Sequence, residues 1–276
     1  MPQSVFKAGF LRTPHFSRRP EPPWAMNLDS MQADGLVAWY PLGAVVGDEP
    51  NLSLALPGNM VNNGSTLEAS AEGGVVRKFA AASSQYLRVG TPIIITTPLT
   101  IAAWVFPVVT NTQMAIADIT DTGGDTHFFM LKILGTTNKM VVQVQSAAGS
   151  NSVSSVADVV INQWNHGCGV FTSSTSRDVY LDGIGPVNGA ADLTPAGLDA
   201  TDIGRLGRLT PSLYFDGNIS DVRFYNRALR AAEVWQLYDP STSWDLYYPL
   251  RRRIFSFPSE EAAAVAPKRL LLLGVG

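Results

Sequence analysis

The sequence predicts an all-β domain closed by one short helix, and three observations carry that expectation. The first is composition. Of 276 residues, 46% are hydrophobic and only 16% charged, with 24 glycines and 18 prolines. That balance suits a turn-rich β chain with enough apolar material for a sandwich core, and not a collagen-like or disordered one. The second is a series of segments alternating with a period of two. The third is a change of period near the C-terminal end. In the stretch Tyr214–Tyr238, Val222 and Phe224 share one face and Asp221, Arg223 and Tyr225 the other, as in a half-buried strand. Ala231, Val234, Trp235 and Tyr238 then recur at helical spacing. Asp239-Pro240 stops the run, because proline disfavours helix at the residue before it. The helix therefore spans about 230–238.

Taken in order, the first strand is Gly35-Leu-Val-Ala-Trp-Tyr-Pro-Leu42. Residues 43–74 read as loop, with a turn signal at Asn62-Asn63-Gly64. Val75–Ala80 and Gln85–Val89 are two strands around a small polar turn. In Leu99-Thr-Ile-Ala-Ala-Trp-Val-Phe-Pro107 both faces are apolar, which predicts a central strand covered on both sides. Met114–Ile119, His127–Leu134 and Lys139–Gln145 continue the series. Gln163-Trp-Asn-His-Gly-Cys-Gly-Val-Phe171 and Arg177-Asp-Val-Tyr-Leu-Asp-Gly183 follow, with Asp182-Gly183 suited to a tight hairpin turn. Thr201–Gly207 precedes the closing strand, and no internal repeat is visible.

These motifs, above all the run from Phe215 to Tyr238, resemble laminin-G-like, concanavalin-A-like lectin/glucanase domains over about residues 35–240. The resemblance implies a single antiparallel concanavalin-A-like sandwich (jelly roll) over 34–240, flanked by an extended N-terminal arm, 1–33, and a C-terminal arm, 241–276. Two positions depart from the family pattern. Ser220 replaces the first of two acidic residues, and Arg230 replaces a serine that would cap the helix with Glu233 as the other half of a capping box. The lost cap weakens the helix by roughly 1 kcal/mol.

Charge is unevenly divided. Residues 34–240 carry 11 Lys/Arg against 18 Asp/Glu, whereas the two ends together carry 9 against 5. The single cysteine, Cys168, excludes an internal disulfide or a multi-cysteine metal site. No apolar run of signal-peptide length opens the sequence, and Leu270–Leu273 is too short to span a bilayer. The expectation is a protein outside the secretory route and without a membrane anchor.

Hydrolases on this sandwich place paired carboxylates on one strand to flank the scissile bond. None of the glutamates, Glu21, Glu49, Glu68, Glu72, Glu233, Glu260 and Glu261, stands in such a pattern on an expected strand, so no catalytic residue is expected. His166 and Cys168 share a strand face, as a nucleophile and its base would. A structural role fits the strand better. The remaining histidines, His15 and His127, are too scattered for a zinc site. Asp118, Asp121 and Asp125, beside Gly123-Gly124, are candidate Ca²⁺ ligands at a loop, with solvated turn residues as the favoured reading. Any Ca²⁺ would be weakly held and dispensable for folding. Asp216 and Asp221 are expected to pair with Arg223 or Arg227.

The arms carry the functional expectation. Phe6, Phe10, Phe16, Arg18, Arg19 and Trp24 are spaced as separate anchors in the first. Trp244, Arg251, Arg252, Arg253, Phe255 and Phe257 repeat the aromatic and basic theme in the second. Trp244-Asp-Leu-Tyr-Tyr-Pro-Leu-Arg-Arg-Arg253 resembles tails that follow such domains in tailed-phage and prophage structural proteins. The resemblance implies a virion protein assembled in the host cytoplasm, and a capsid decoration role in particular. Its partners would be capsid or tail proteins, further copies of itself and, on the display side, a host-surface glycan. The arginines could meet nucleic acid, but an acidic body with basic runs between apolar residues fits docking on an acidic protein surface better. The alternative function is a carbohydrate-binding lectin module of a tail fibre or bacterial cell surface. For the C-terminal arm, the alternative to outward docking is folding back over an apolar face of its own sandwich.

Overall fold

The computed structural model describes residues 20, 24–43, 46–53, 58–70 and 74–249. Seventeen strands and one α-helix follow in the order β1 (Trp24–Met26), β2 (Leu36–Tyr40), β3 (Val61–Asn63), β4 (Thr66–Ala69), β5 (Val75–Phe79), β6 (Tyr86–Val89), β7 (Leu99–Pro107), β8 (Met114–Thr120), β9 (Phe128–Leu134), β10 (Lys139–Ser146), β11 (Gly149–Asp158), β12 (Asn165–Ser173), β13 (Ser176–Leu181), β14 (Ile184–Gly189), β15 (Ala200–Ile203), β16 (Gly217–Tyr225), α1 (Ala231–Tyr238) and β17 (Tyr247–Pro249). Seven strands form one sheet in the order β11-β10-β9-β8-β15-β6-β3. The other sheet runs β14-β13-β12-β7-β16-β5-β4, with β2 beside the second half of β16. The pairings are antiparallel, as the alternating segments predict.

The inward residues of both sheets make the main core. Ile101, Ala103 and Val105 of β7 meet Phe129, Leu131, Val142 and Val144 of the facing sheet, with Val222 and Phe224 of β16 beside them. In β12 two successive inward positions, Gly167 and Gly169, are glycines, ahead of Phe171 in the core. A β-carbon on Gly167 would collide with the Met140 side chain, so the glycine lets the two sheets close at that point. His166, Cys168 and Val170 take the other face.

That other face of β7, β12 and β16 holds a second apolar layer. Trp39, Trp104, Cys168, Val170 and Tyr225 are covered there by Val234 and Leu237 of α1 and by Trp24, Trp244, Leu246 and Tyr247. The doubly apolar pattern of β7 is thus explained: nearly every residue in it is buried.

Three features differ from the sequence expectation. Residues 43–74 contain β3 and β4, and β11 and β14 are additional strands. All four are short or polar: β11 reads Gly-Ser-Asn-Ser-Val-Ser-Ser-Val-Ala-Asp and lies at a sheet edge with most of its residues exposed or half-exposed. The packed unit also extends beyond 34–240. β1 pairs with β17 in a separate two-stranded ribbon, Trp24 opposite Pro249 and Met26 opposite Tyr247. Residues expected in the two arms therefore belong to the folded body from Trp24 onward and up to Pro249.

Candidate functional site

The segments on either side of the sandwich meet over the outer face of the eight-stranded sheet. Trp244 stacks on Trp104 at 6.0 Å, and Tyr238 of α1 stacks on the same ring system at 5.9 Å. Tyr247 presents its edge to Trp39 at 4.7 Å and meets Trp24 at 5.1 Å, again edge to face. Trp24 is 6% exposed and Trp244 9%. This corrects the expectation that these two tryptophans are outward anchors. The outward apolar face of the sheet that carries Trp39 and Trp104 needs a cover, and burying a large aromatic there is worth more than presenting it to solvent. For residues 241–249, the fold-back alternative holds. Phe6, Phe10, Phe16, Arg18 and Arg19, and Arg251, Arg252, Arg253, Phe255 and Phe257, lie outside the described residues.

Beneath this cover runs a buried polar lattice. A register shift in β16, with Asp221 at φ 52°, turns that carboxylate toward Arg223. The pair is 2.7 Å apart and almost fully buried. One Asp221 oxygen also accepts the Trp39 indole N–H at 2.9 Å and the Tyr247 hydroxyl at 2.8 Å. Arg223 donates onward to the Gln32 side-chain oxygen at 2.6 Å and to the Ser243 carbonyl at 3.0 Å. The Gln32 amide in turn donates to the carbonyls of Gln236 at 3.3 Å and Thr242 at 2.7 Å. A chain of hydrogen bonds thus ties the segment after β1, the end of α1 and the turn before β17 into one body.

At the margin of that lattice lies an open cleft of about 260 Å³. Asn27, Asp29 and Ser30 form one wall and Gln236, Thr242 and Asp245 the other, with Met31 and Gln32 between them. The walls are fixed to each other: the Asn27 amide donates to the Asp245 carbonyl at 2.9 Å, and its backbone N–H to the Leu246 carbonyl at 2.8 Å.

The structure separates the three aspartates read as Ca²⁺ candidates. Asp118 is fully buried in β8, where it accepts from the backbone N–H groups of Asp202 at 3.1 Å and Gly207 at 2.8 Å. It lies directly across the ladder from Asp202 of β15. Burial, reinforced by the Asp202 charge, raises its carboxyl well above the usual range. Asp202 holds Arg88 at 2.8 Å and Arg205 at 2.7 Å, and the Arg205 guanidinium lies 3.3 Å over the Tyr86 ring. Asp121 accepts from the Gly123 N–H at 2.8 Å in its own turn. Asp125 accepts from the Thr210 backbone N–H at 2.9 Å, which, with the Thr210 hydroxyl and Arg208, holds its carboxyl below the usual range. Among the described residues, no three His, Cys, Asp or Glu side chains gather as a metal site.

His166 and Cys168 do face the same way, as their spacing predicts, but both are buried. Burial pushes the imidazole down to about 3, with the Arg223 charge adding to it, and pushes the thiol up. A neutral thiol beside an imidazole that cannot take a proton near neutral pH is not a nucleophile with its base. His127 accepts from the Ala196 N–H at 3.0 Å. Asp221 pairs with Arg223 as expected, whereas Arg227 reaches Asp34 at 3.3 Å and Glu233 at 2.8 Å. The cross-strand pair Asp118–Asp202 and the cleft were not foreseen. Both arise from residues far apart in sequence, and neither has a local motif.

Comparison with known proteins agrees with this architecture. The family model described as the concanavalin A-like lectin/glucanases superfamily, of laminin-G type, matches residues 81–235, more than half of the chain. No curated protein matches the sequence. Among solved structures, domain 4 of AbnA, an extracellular arabinanase from Geobacillus stearothermophilus, is similar with a TM-score of 0.60 at 15% identity, over 74% of this chain and 98% of that one. The binding domain of Paraclostridial Mosquitocidal Protein 1 gives a TM-score of 0.59 at 14% identity, over 76% of this chain and 53% of that one. The binding domain of botulinum neurotoxin serotype G gives 0.53 at 16% identity, over 73% and 50%. The chain thus spans about half the length of the two toxin binding domains. On the family match and the sandwich it predicts, this chain belongs to the concanavalin A-like lectin/glucanases superfamily.

Proposed function

We propose that the chain is a non-catalytic carbohydrate-binding module. The observation that carries this reading is the fate of its cross-strand carboxylates. Asp118 and Asp202 face each other on adjacent strands, yet both are fully buried and saturated by Arg88, Arg205 and backbone N–H groups. A glycosidase needs an acid and a base that reach the glycosidic oxygen and a water or anomeric carbon, and this pair reaches neither. What the sandwich retains is a scaffold for recognition. The arabinanase domain with the same fold was solved in complex with arabinotriose, which supports a saccharide as the ligand class here. The test is a glycan array together with a reducing-sugar assay on β-glucans and arabinans. Binding without turnover is expected. Turnover lost on replacing one acidic residue would overturn it.

A second reading concerns where the module works, and the β1–β17 ribbon favours it. Because Trp24 and Pro249 are paired, the chain before and after the folded body continues from one place. Residues 1–23 and 250–276 carry 9 Lys/Arg against 3 Asp/Glu, while 24–249 carry 11 against 20. Two basic, aromatic-bearing extensions at one pole suit a shared berth on an acidic protein surface. A virion is the setting this suits, with a capsid or tail protein or further copies of this chain as partner and the module displayed as a decoration. Deleting 1–19 and 250–276 in turn should abolish co-purification with assembled particles. Unchanged association would remove this reading and leave the first intact.

A further inference from the structure

We propose that the cleft between residues 27–32 and 236–245 is the saccharide site, and that it takes the terminal unit of a neutral or amino sugar. This rests on the carbohydrate-binding reading above and gives it a place. Every residue lining the cleft lies outside residues 81–235, so the site belongs to the flanking segments of this chain and not to the family's shared sandwich.

The wall offers the right chemistry. The carboxylates of Asp29 and Asp245 and the side-chain amide of Gln236 make no hydrogen bond among the described residues, while the groups around them are already engaged. Two carboxylates and an amide on facing walls give acceptors and donors for a ring of hydroxyls, and hydroxyl bonds to a carboxylate are charge-assisted. Met31, 68% exposed at the rim, gives an apolar surface for the C–H face of a sugar ring. At about 260 Å³ the cleft is just below the roughly 300–1,000 Å³ of pockets for drug-sized ligands, so it holds the end of a glycan and not a long stretch of it.

The electrostatics set the selectivity. No Lys or Arg lines the cleft. Arg223, behind Gln32, is buried and committed to Asp221. A sialic or uronic acid would place its carboxylate against Asp29 and Asp245 with no cation to offset it, whereas a protonated amino sugar would gain from the same field. Pre-organisation follows from the lattice: Gln32, held by Arg223, fixes the backbone of Gln236 and Thr242, so little ordering is required on binding.

The experiment uses the full chain on a glycan array, with calorimetry on arabinotriose, cellotriose, chitosan trisaccharide, trigalacturonate and 3′-sialyllactose, all in EDTA. The variants are Asp29→Asn and Gln236→Ala, whose side chains hold nothing else in place, and Asp125→Asn as a remote control. Binding of a neutral or amino glycan should fall at least tenfold in both cleft variants, with melting temperature unchanged, and stay level in the control. If the wild type binds a glycan and the cleft variants bind it equally, or if acidic glycans are preferred, the cleft is not the site and the module reading survives. If the wild type binds no glycan, both fail together.

Discussion

His166 lies between the Trp104 ring, 5.2 Å away, and Tyr238, with the Arg223–Asp221 pair nearby. Its imidazole is held down to about 3 chiefly by burial, against about 6.5 in an unfolded chain. A depressed folded value contributes stability that is present above the unfolded pKa and lost as pH falls through 6.5 toward 3, on the order of 5 kcal/mol at the limit. Asp118 acts with the opposite sign: its raised carboxyl binds a proton more readily in the fold, so its contribution improves as pH falls. Between pH 7 and 4 the His166 contribution lowers the urea midpoint and the Asp118 contribution raises it, so His166→Gln should shift the slope of midpoint against pH toward greater stability at low pH, whatever it does at pH 7. An unchanged slope would show that His166 is not the titrating group. Arg223→Met should cost about 3–5 kcal/mol, because it strands a buried Asp221 carboxylate and releases Gln32 and the Ser243 carbonyl. The reading is a lower urea midpoint with an unchanged slope of stability against urea.

Helix α1 shows how a sequence departure is absorbed. Arg230 occupies the cap with extended dihedrals, φ −75° and ψ 157°. Its N–H donates to the Glu233 carboxylate at 2.8 Å, so the acidic half of a capping box is present. A guanidinium has no acceptor to supply the other half. Arg230→Ser should therefore stabilise the protein by about 1 kcal/mol, read as a rise in denaturation midpoint. Trp24→Ala should remove about 3–5 kcal/mol by uncovering the Tyr247–Trp39 edge. β7, β16 and α1 were legible because each carries its pattern locally, as a doubly apolar run, an alternation and a change of period, whereas β12 was read through its resemblance to a family strand. The small polar edge strands β3, β4, β11 and β14 carry too few buried residues to leave a period. In Trp104 the sequence showed an outward aromatic that needed a cover. The cover itself came from Trp244, and the ribbon that anchors it joins residues more than two hundred positions apart, a relation no local pattern encodes. The cleft is hidden for the same reason, since Asn27 reaches Asp245 across 218 positions.

Across the whole molecule, the three aspartates read as Ca²⁺ candidates are engaged by protein groups. Asp121 serves a backbone N–H of its own turn, Asp125 ties its loop to Thr210 of the facing one, and Asp118 is sealed beneath residues 202–207. Millimolar Ca²⁺ should accordingly shift the melting temperature by less than about 5 °C, and a chelator should not lower it. A larger, chelator-reversible rise would correspond to over 1 kcal/mol for a body of this size. The β1–β17 ribbon has a topological consequence. Its backbone pairing makes the stretch from Trp24 to Pro249 a nearly closed ring. Such a ring has no privileged opening, so where a chain begins can be moved without moving any strand. Bridging residues 24 and 249 with a few glycines and reopening the exposed turn between Ser146 and Gly149 should yield a circular permutant with the same sandwich. In that permutant the new ends would depart from the β10–β11 edge, and cargo or tethers fused there could be relocated on the module by the choice of cut alone.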